Sequence, residues 1–533
     1  MKIRTTFLVT SALAASVACG STKVNGFTPQ PDAGSSGGLG GGTDNTLVVD
    51  PINAILFLDT ATKPVTHATQ AYTVTRRLAA GDKDVTANAT FSLDQPEIGA
   101  FTGASFESGD SLPAGARGMT SNITVGVDKL TTNAAVTVVQ LRKTGDQRDF
   151  FFIEPYNGTP TPSEDVLKFK TNVQQVDVAF VTDTTGSMSQ EIAGIRSALA
   201  GTLLAQLQAA IPSVAMSIVS HKDDTDGPTV VQVLQPLTTS LTAAQSAAGL
   251  LNATGGGDLP EAQIAAMYHV LTGDPLGSLV AKHTPAPGTT GGVDFRPGAV
   301  PVVVLTTDAD WHDPSIGVTA GQLAAQFLSK NARFVSLASG DETQANALSD
   351  TTGSHLPTTA FTGCSPGLCC TGINGADRFP DGPGMSCRLN FKYDKSSPNI
   401  GKGVVDAIKA ISVGSSYDVA ARPRNDASNP NGVDATKFIK SLRAKDEGDA
   451  AQGCAPHDAK DTNGDGIKDT FTAVTVGTPV CFEVLPAVND FVPPEKGAQF
   501  FNAFIDVVGL PGDINLDQRS VLFLVPPKDP TVR

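Results

Sequence analysis

The sequence is poor in the residues that carry most catalysis and base stacking. Tryptophan occurs once, tyrosine five times and histidine seven times in 533 residues. The histidines are scattered, with no His-Glu-x-x-His helix, and no strand-to-helix turn forms a Gly-x-Ser-x-Gly elbow. A zinc peptidase or an α/β-hydrolase is therefore not expected. Positive charge is also scarce. Lys and Arg number 38 against 53 Asp and Glu, a formal charge of −15, which argues against nucleic acid or an anionic membrane surface as a partner. The one long apolar run, Phe7 to Ala18, is too short for a stop-transfer helix. Fifty-three Gly and 35 Pro argue against long helical bundles. What is present, 40% hydrophobic and 17% charged residues, fits a folded, exported chain. Its length suggests roughly three or four domains.

Lys2 and Arg4 before Phe7 to Ala18 read as a sorting signal. The run ends in Ser16-Val17-Ala18-Cys19, which resembles a bacterial lipobox, with Ser16 where the usual Leu stands. That resemblance implies lipidation at Cys19 and an outer-membrane lipoprotein, with simple secretory cleavage as the alternative. Gly34 to Gly42 then reads as a flexible tether. The remaining cysteines, Cys364, Cys369, Cys370, Cys387, Cys454 and Cys481, are even in number, as disulfides in an exported protein would be. Their spacing suggests two bridges among the first four and one joining Cys454 to Cys481.

Hydrophobic patterning divides the chain into a signal (1–19), a tether (20–46) and three folded parts. Short alternating runs in 47–150 predict an all-β sandwich, loosely resembling bacterial immunoglobulin-like repeats. In 174–414, apolar strands alternate with amphipathic helices and predict a doubly wound parallel sheet of the Rossmann-like kind. In 415–533, β-like runs return and predict a second immunoglobulin-like sandwich, which 151–173 could join.

In an open α/β sheet, ligands bind beyond the carboxyl ends of the strands. Three acidic loops fall there. Asp183-x-Thr185-x-Ser187 follows the first strand, with hard oxygen ligands at alternate positions that suit Mg²⁺. Gly255-Gly256-Gly257-Asp258-Leu259-Pro260-Glu261 opens a helix, and Thr307-Asp308-Ala309-Asp310-Trp311-His312 ends the strand that starts at Val300. Together, in this order, they resemble a von Willebrand factor type A domain with its metal-ion-dependent adhesion site. Asp258-x-Pro260-Glu261 and Thr307-Asp308-Ala309-x-x-His312 are most similar to the inserted domain of integrin β subunits. The resemblance implies that Thr185, Ser187 and Glu261 contact Mg²⁺ while Asp183 and Asp308 act through water. Thr254 competes for the second-loop role, as in other members. It also implies side sites, one using Glu191 (with Gln190 where a second carboxylate is expected) and one using Asp223 and Asp258 (with Gly256 in place of the family's Asn).

A second ion signal is Asp461-x-Asn463-x-Asp465-Gly466-Ile467-x-Asp469, whose alternating oxygens and turn glycine suit Ca²⁺, with Ile467 offering its carbonyl. Thr472 stands where an EF-hand has its bidentate Glu, and the loop is more similar to those of thrombospondin type 3 repeats or dockerins. The expected function is Mg²⁺-dependent binding of a carboxylate on a protein or peptide partner outside the cell, with no bond broken. The alternative is a structural envelope component whose ions only stabilise the fold.

Overall fold

The computed structural model describes residues 45–528 except 61–64, 141–142, 145–146, 201–202 and 397–398. Cys19 and the Gly-rich tether lie outside the described residues. The chain forms two compact units, one of the residues up to Arg142 together with Lys496–Ala498 and those from Pro527, the other of Lys143–Glu495 and Gln499–Pro526.

The first unit is all β, with three short sheets in place of two facing ones. Asp50-Pro51-Ile52 breaks the opening run, since proline cannot donate to a ladder. Asn45–Asp50 therefore pairs with Thr73–Leu78, and Asn53–Leu58 lies parallel to Leu130–Gln140 in another sheet. In Gly118–Val127, alternate residues Ser121, Ile123, Val125 and Val127 are buried, the period of two expected of a half-covered strand. Tyr72, Phe91, Phe101 and Phe106 meet in its core.

The second unit contains an α/β fold. Its strands are β1 (Gln175–Asp183), β2 (Ser213–His221), β3 (Val231–Thr238), β4 (Val300–Thr307), β5 (Arg333–Ala338) and β6 (Asn390–Lys392). They lie in the order β3-β2-β1-β4-β5-β6. All neighbours are parallel except β3, which runs antiparallel to β2. The wholly parallel sheet expected from the pattern is thus corrected at its edge, because hydrophobic periodicity carries no strand direction. Helices are α1 (Ser189–Ala200), α2 (Leu203–Ala210), α3 (Leu241–Ala248), α4 (Gln263–Thr272), α5 (Ala320–Ser329), α6 (Thr343–Thr352) and α7 (Ile400–Gly414). Both faces of β1 are buried. Val176, Val178 and Phe180 share a core with residues of α1, α2, α3 and α7. Ala179 and Val181 share another with α4, α5 and α6. Strands buried on both faces read as continuous apolar runs, which is why these were legible.

The rest of this unit is β. One sheet joins Phe150–Ile153, Ile514–Val525, Gln499–Leu510, Ser416–Asn425, Thr470–Thr475 and Ala459–Lys460 in that order. The other joins Asp165–Phe169, Val480–Pro486 and Ile439–Ala444. Strands from before and after the α/β fold thus share both sheets, so the α/β fold is an insertion into this β part. Phe150, Phe169, Phe471, Phe482 and Phe523 are fully buried in the same core as one face of the α/β sheet. Disulfides join Cys364 to Cys370, Cys369 to Cys387 and Cys454 to Cys481.

Candidate metal centre

The three acidic loops meet beyond the carboxyl ends of β1 and β4, where a topological switch places ligand sites in such sheets. Asp183 ends β1 and is fully buried. Its Oδ1 accepts from the Thr185 amide at 2.9 Å and the Thr185 hydroxyl at 2.7 Å, and its Oδ2 accepts from the Thr307 hydroxyl at 2.8 Å. The Ser187 hydroxyl donates to Asp308 Oδ1 at 2.9 Å. The Thr185 and Ser187 oxygens lie 3.4 Å apart. Each hydroxyl proton therefore has a carboxylate to go to, which leaves the oxygen lone pairs available to a cation. Gln263, at the start of α4, donates to Thr307 Oγ1 at 2.9 Å and fixes the direction in which that hydroxyl donates.

The second loop closes over the first because it lacks side chains. The Gly186 amide donates to the Gly255 carbonyl at 3.1 Å. Gly255 and Gly256 both have positive φ, +79° and +88°. A Cβ on Gly256 would lie 3.1 Å from Thr185 Cβ, and one on Gly255 would overlap the Asp226 carboxylate. Glu261 is then clamped to the third loop. Its amide donates to the Asp310 carbonyl and its carbonyl accepts from the His312 amide, each at 2.9 Å. The carboxyl is buried, and Oε2 has no hydrogen-bond partner. Burial first, then the charges of Asp183, Asp223 and Asp226, push its pKa up to about 8. Buried carboxylates facing one another with an orphaned oxygen are the electrostatic situation a divalent cation relieves. The donor set of hydroxyls and carboxylates fits Mg²⁺.

Thr254 is turned elsewhere. Its hydroxyl and carbonyl both accept from the Lys222 ammonium, the hydroxyl at 2.8 Å. Glu191 is fully buried, and neither oxygen has a hydrogen-bond partner. Burial raises its pKa above the ordinary value. Lys395 points an ammonium there, paired with Asp308 and 3.9 Å from Glu191 Oε1. The adjacent position that the resemblance offers to a side cation thus holds a positive charge from the chain itself.

Asp223 and Asp258 meet His312. Their ligand atoms and the imidazole all lie within 4.8 Å of one another, a candidate metal-binding triad. Burial opposes the Asp223 charge, but hydrogen bonds from the Thr225 hydroxyl and amide outweigh it and hold its carboxyl below the usual range. Its neighbour Asp258 is pushed up by that carboxylate.

The Asp461 loop lies apart, in the β part, and is mostly exposed. Asp461 accepts from the Asn463, Gly464 and Gly466 amides, and Asp465 from the Ile467 amide. Asp469 accepts from the Thr462 hydroxyl at 2.8 Å. The carboxylates therefore hold the loop's own backbone and are not drawn into one cluster. Gly363-Cys364-Ser365-Pro366-Gly367 spells a hydrolase elbow, but Cys364 is in a disulfide and no helix follows the serine.

Sequence reasoning passed over Thr307's hydroxyl, Gln263, Lys222 and Lys395. Thr307 stood within a quoted motif, whereas Lys395 follows a three-residue strand with no pattern of its own. His312 was seen as a loop residue, and only the fold shows its carboxylate partners.

No protein-family model matches the chain, and no curated protein matches it. Among solved structures it is similar to a von Willebrand factor type A protein from Catenulispora acidiphila. The identity is 12%, the TM-score 0.29, and the match covers 83% of this chain and 75% of that one. An overlay that loose carries no argument, so the reading rests on the loops.

Proposed function

We propose that the chain is a cell-surface binding protein of the von Willebrand factor type A kind, which engages a carboxylate of a protein or peptide partner through Mg²⁺. The carrying observation is the arrangement of hydroxyl donors. Thr185 and Ser187 each give their proton to an aspartate, and Glu261 lies buried opposite with a free oxygen. Thr185, Ser187 and Glu261 would hold the ion, and Asp183 and Asp308 would orient the hydroxyls and the ion's waters. A bound Mg²⁺ supplies an electrophilic position for one further oxygen ligand. Gln263 holds Thr307, whose hydroxyl donates to Asp183, and Ser187 is exposed. Nothing in this set supplies a nucleophile with an activating base, which favours binding over hydrolysis.

In this reading Cys19 carries a lipid, the chain faces outward, and the β parts act as immunoglobulin-like spacers. The Asp461 loop would take Ca²⁺ for structural support. The test is capture of envelope and extracellular proteins on the immobilised full chain. Retention should require Mg²⁺, disappear with EDTA, return on adding Mg²⁺, and fail in Asp183→Ala. A partner held equally well with EDTA and by Asp183→Ala would overturn the proposal.

A further inference from the structure

The loop that carries Glu261 is held by the chain that follows β2. Lys222 comes directly after that strand and is half-buried. An ammonium has three protons to place. Here they meet three acceptors: the Thr254 carbonyl, the Thr254 hydroxyl at 2.8 Å and the Thr184 carbonyl at 3.4 Å. The Thr184 carbonyl also accepts from the Thr254 amide at 2.9 Å, so one ammonium joins the first and second loops. The backbone of Lys222 holds the other end of the second loop. Its carbonyl accepts at 3.0 Å from the amide of Ala262, the residue after Glu261. Between these points, Asp226 Oδ2 accepts from the Gly256 amide at 3.0 Å. Thr254, Gly256 and Ala262 are thus fixed by Lys222 and Asp226, neither of them a ligand of the proposed Mg²⁺ ion.

The two candidate oxygens of the second loop therefore meet opposite surroundings. The Thr254 hydroxyl already faces a positive charge at 2.8 Å, and a metal ion sharing that oxygen would meet like-charge repulsion. The Glu261 carboxyl is buried, and its Oε2 has no hydrogen-bond partner. We infer that Lys222 is a positioning residue, which keeps the Thr254 hydroxyl from the ion and so assigns the second loop's ligand role to Glu261. The inference rests on the Mg²⁺ reading and adds to it the choice of ligand. A carboxylate in that role leaves the ion's shell less positive than a hydroxyl would, so Lys222 also sets how strongly the open position attracts a partner's carboxylate.

The test is calorimetric titration of Mg²⁺ into metal-stripped full-length variants. With Lys222 present, Thr254→Ala, at an exposed position, should leave the affinity within about twofold, whereas Glu261→Gln should lose binding. In Lys222→Met the Thr254 hydroxyl is released to the ion. There Thr254→Ala should cost about fivefold or more, and Glu261→Gln should retain measurable binding. A lysine that served stability alone would leave the effect of Thr254→Ala on Mg²⁺ the same with or without it. Equal effects of Thr254→Ala in the two backgrounds would therefore overturn the inference. So would a loss of about tenfold in the Thr254→Ala single variant, a result that does not depend on Lys222→Met folding. A wild type that binds no Mg²⁺ would overturn the Mg²⁺ reading and this inference together, which tells that failure apart from the other two.

Discussion

Two aspartates fix the direction of two hydroxyls, and that is the smallest unit from which the site is built. Ser187→Ala removes one ligand oxygen from an exposed position, so it should cost about tenfold or more in Mg²⁺ affinity with little change in thermal stability. Calorimetric Mg²⁺ titration and a melting curve read the two separately. Lys395 makes a different prediction. Its ammonium, 45% exposed, pairs with Asp308 and competes with any cation placed there. Lys395→Met should tighten Mg²⁺ by about fivefold, the effect of roughly 1 kcal/mol of solvent-screened repulsion. Unchanged or weaker binding would show that the lysine does not oppose the ion.

A titration prediction belongs to Glu154, which lies far from these loops in sequence and is fully buried without hydrogen bonds to its carboxyl oxygens. Burial raises its pKa from 4.5 to about 8. The folded chain keeps the proton to about pH 8, whereas the unfolded chain loses it near 4.5. Stability should therefore fall as pH rises between those values, at up to about 1.4 kcal/mol per unit, and be flat below them. Glu154→Gln should lessen that slope in urea unfolding between pH 5 and pH 8, with Glu261 still contributing its own share; equal slopes in both proteins would refute the assignment. Among single residues, Asp183, Thr185, Ser187, Asp308 and Glu261 were legible because loop motifs have spacing. Lys395, Gln263 and Glu154 were not, because their roles come from distant elements packing against them.

At the scale of elements, the apolar runs located β1, β2, β4 and β5 and the amphipathic runs located α1, α3, α4, α5 and α7. The direction of β3 escaped, since pairing sense depends on the connection and not on the side chains. β6 and α6 escaped as well. β6 is three residues long, and α6, Thr343–Thr352, carries threonines, serine and asparagine that read as a loop. Local chemistry still sets boundaries. Thr319 caps α5 in a reciprocal pair with Gln322. Thr319→Ala should lower stability by about 1 kcal/mol, measured by denaturant midpoint. The Cys454–Cys481 bridge encloses the Asp461 loop. Replacing both cysteines by serine should cost about 2–4 kcal/mol, and Ca²⁺ should recover part of that loss if the loop binds it. No recovery on adding Ca²⁺ would count against the calcium reading.

For the whole molecule, the α/β fold is carried as an insertion, and its lower end is tied to the β strands around it. The Gln174 amide donates to the Asn515 carbonyl, and the Asn515 amide donates to the Gly298 carbonyl. Asn331 donates to the Pro511 carbonyl at 2.8 Å. Beside that junction the fully buried Asp177 accepts from the Arg296 amide at 2.6 Å and from its guanidinium at 2.7 Å. The sequence showed β-like runs on both sides of the α/β segment. It could not show that they pair, because register between strands some 350 residues apart is decided by packing alone.

The central claim is that three loops build one Mg²⁺ site, and titration of Mg²⁺ into the metal-stripped full-length protein tests it most directly. Wild type should give one saturable binding event that is lost in both Asp183→Ala and Glu261→Gln, although these residues lie on different loops. Binding that persists in either variant with unchanged affinity and stoichiometry would contradict the account.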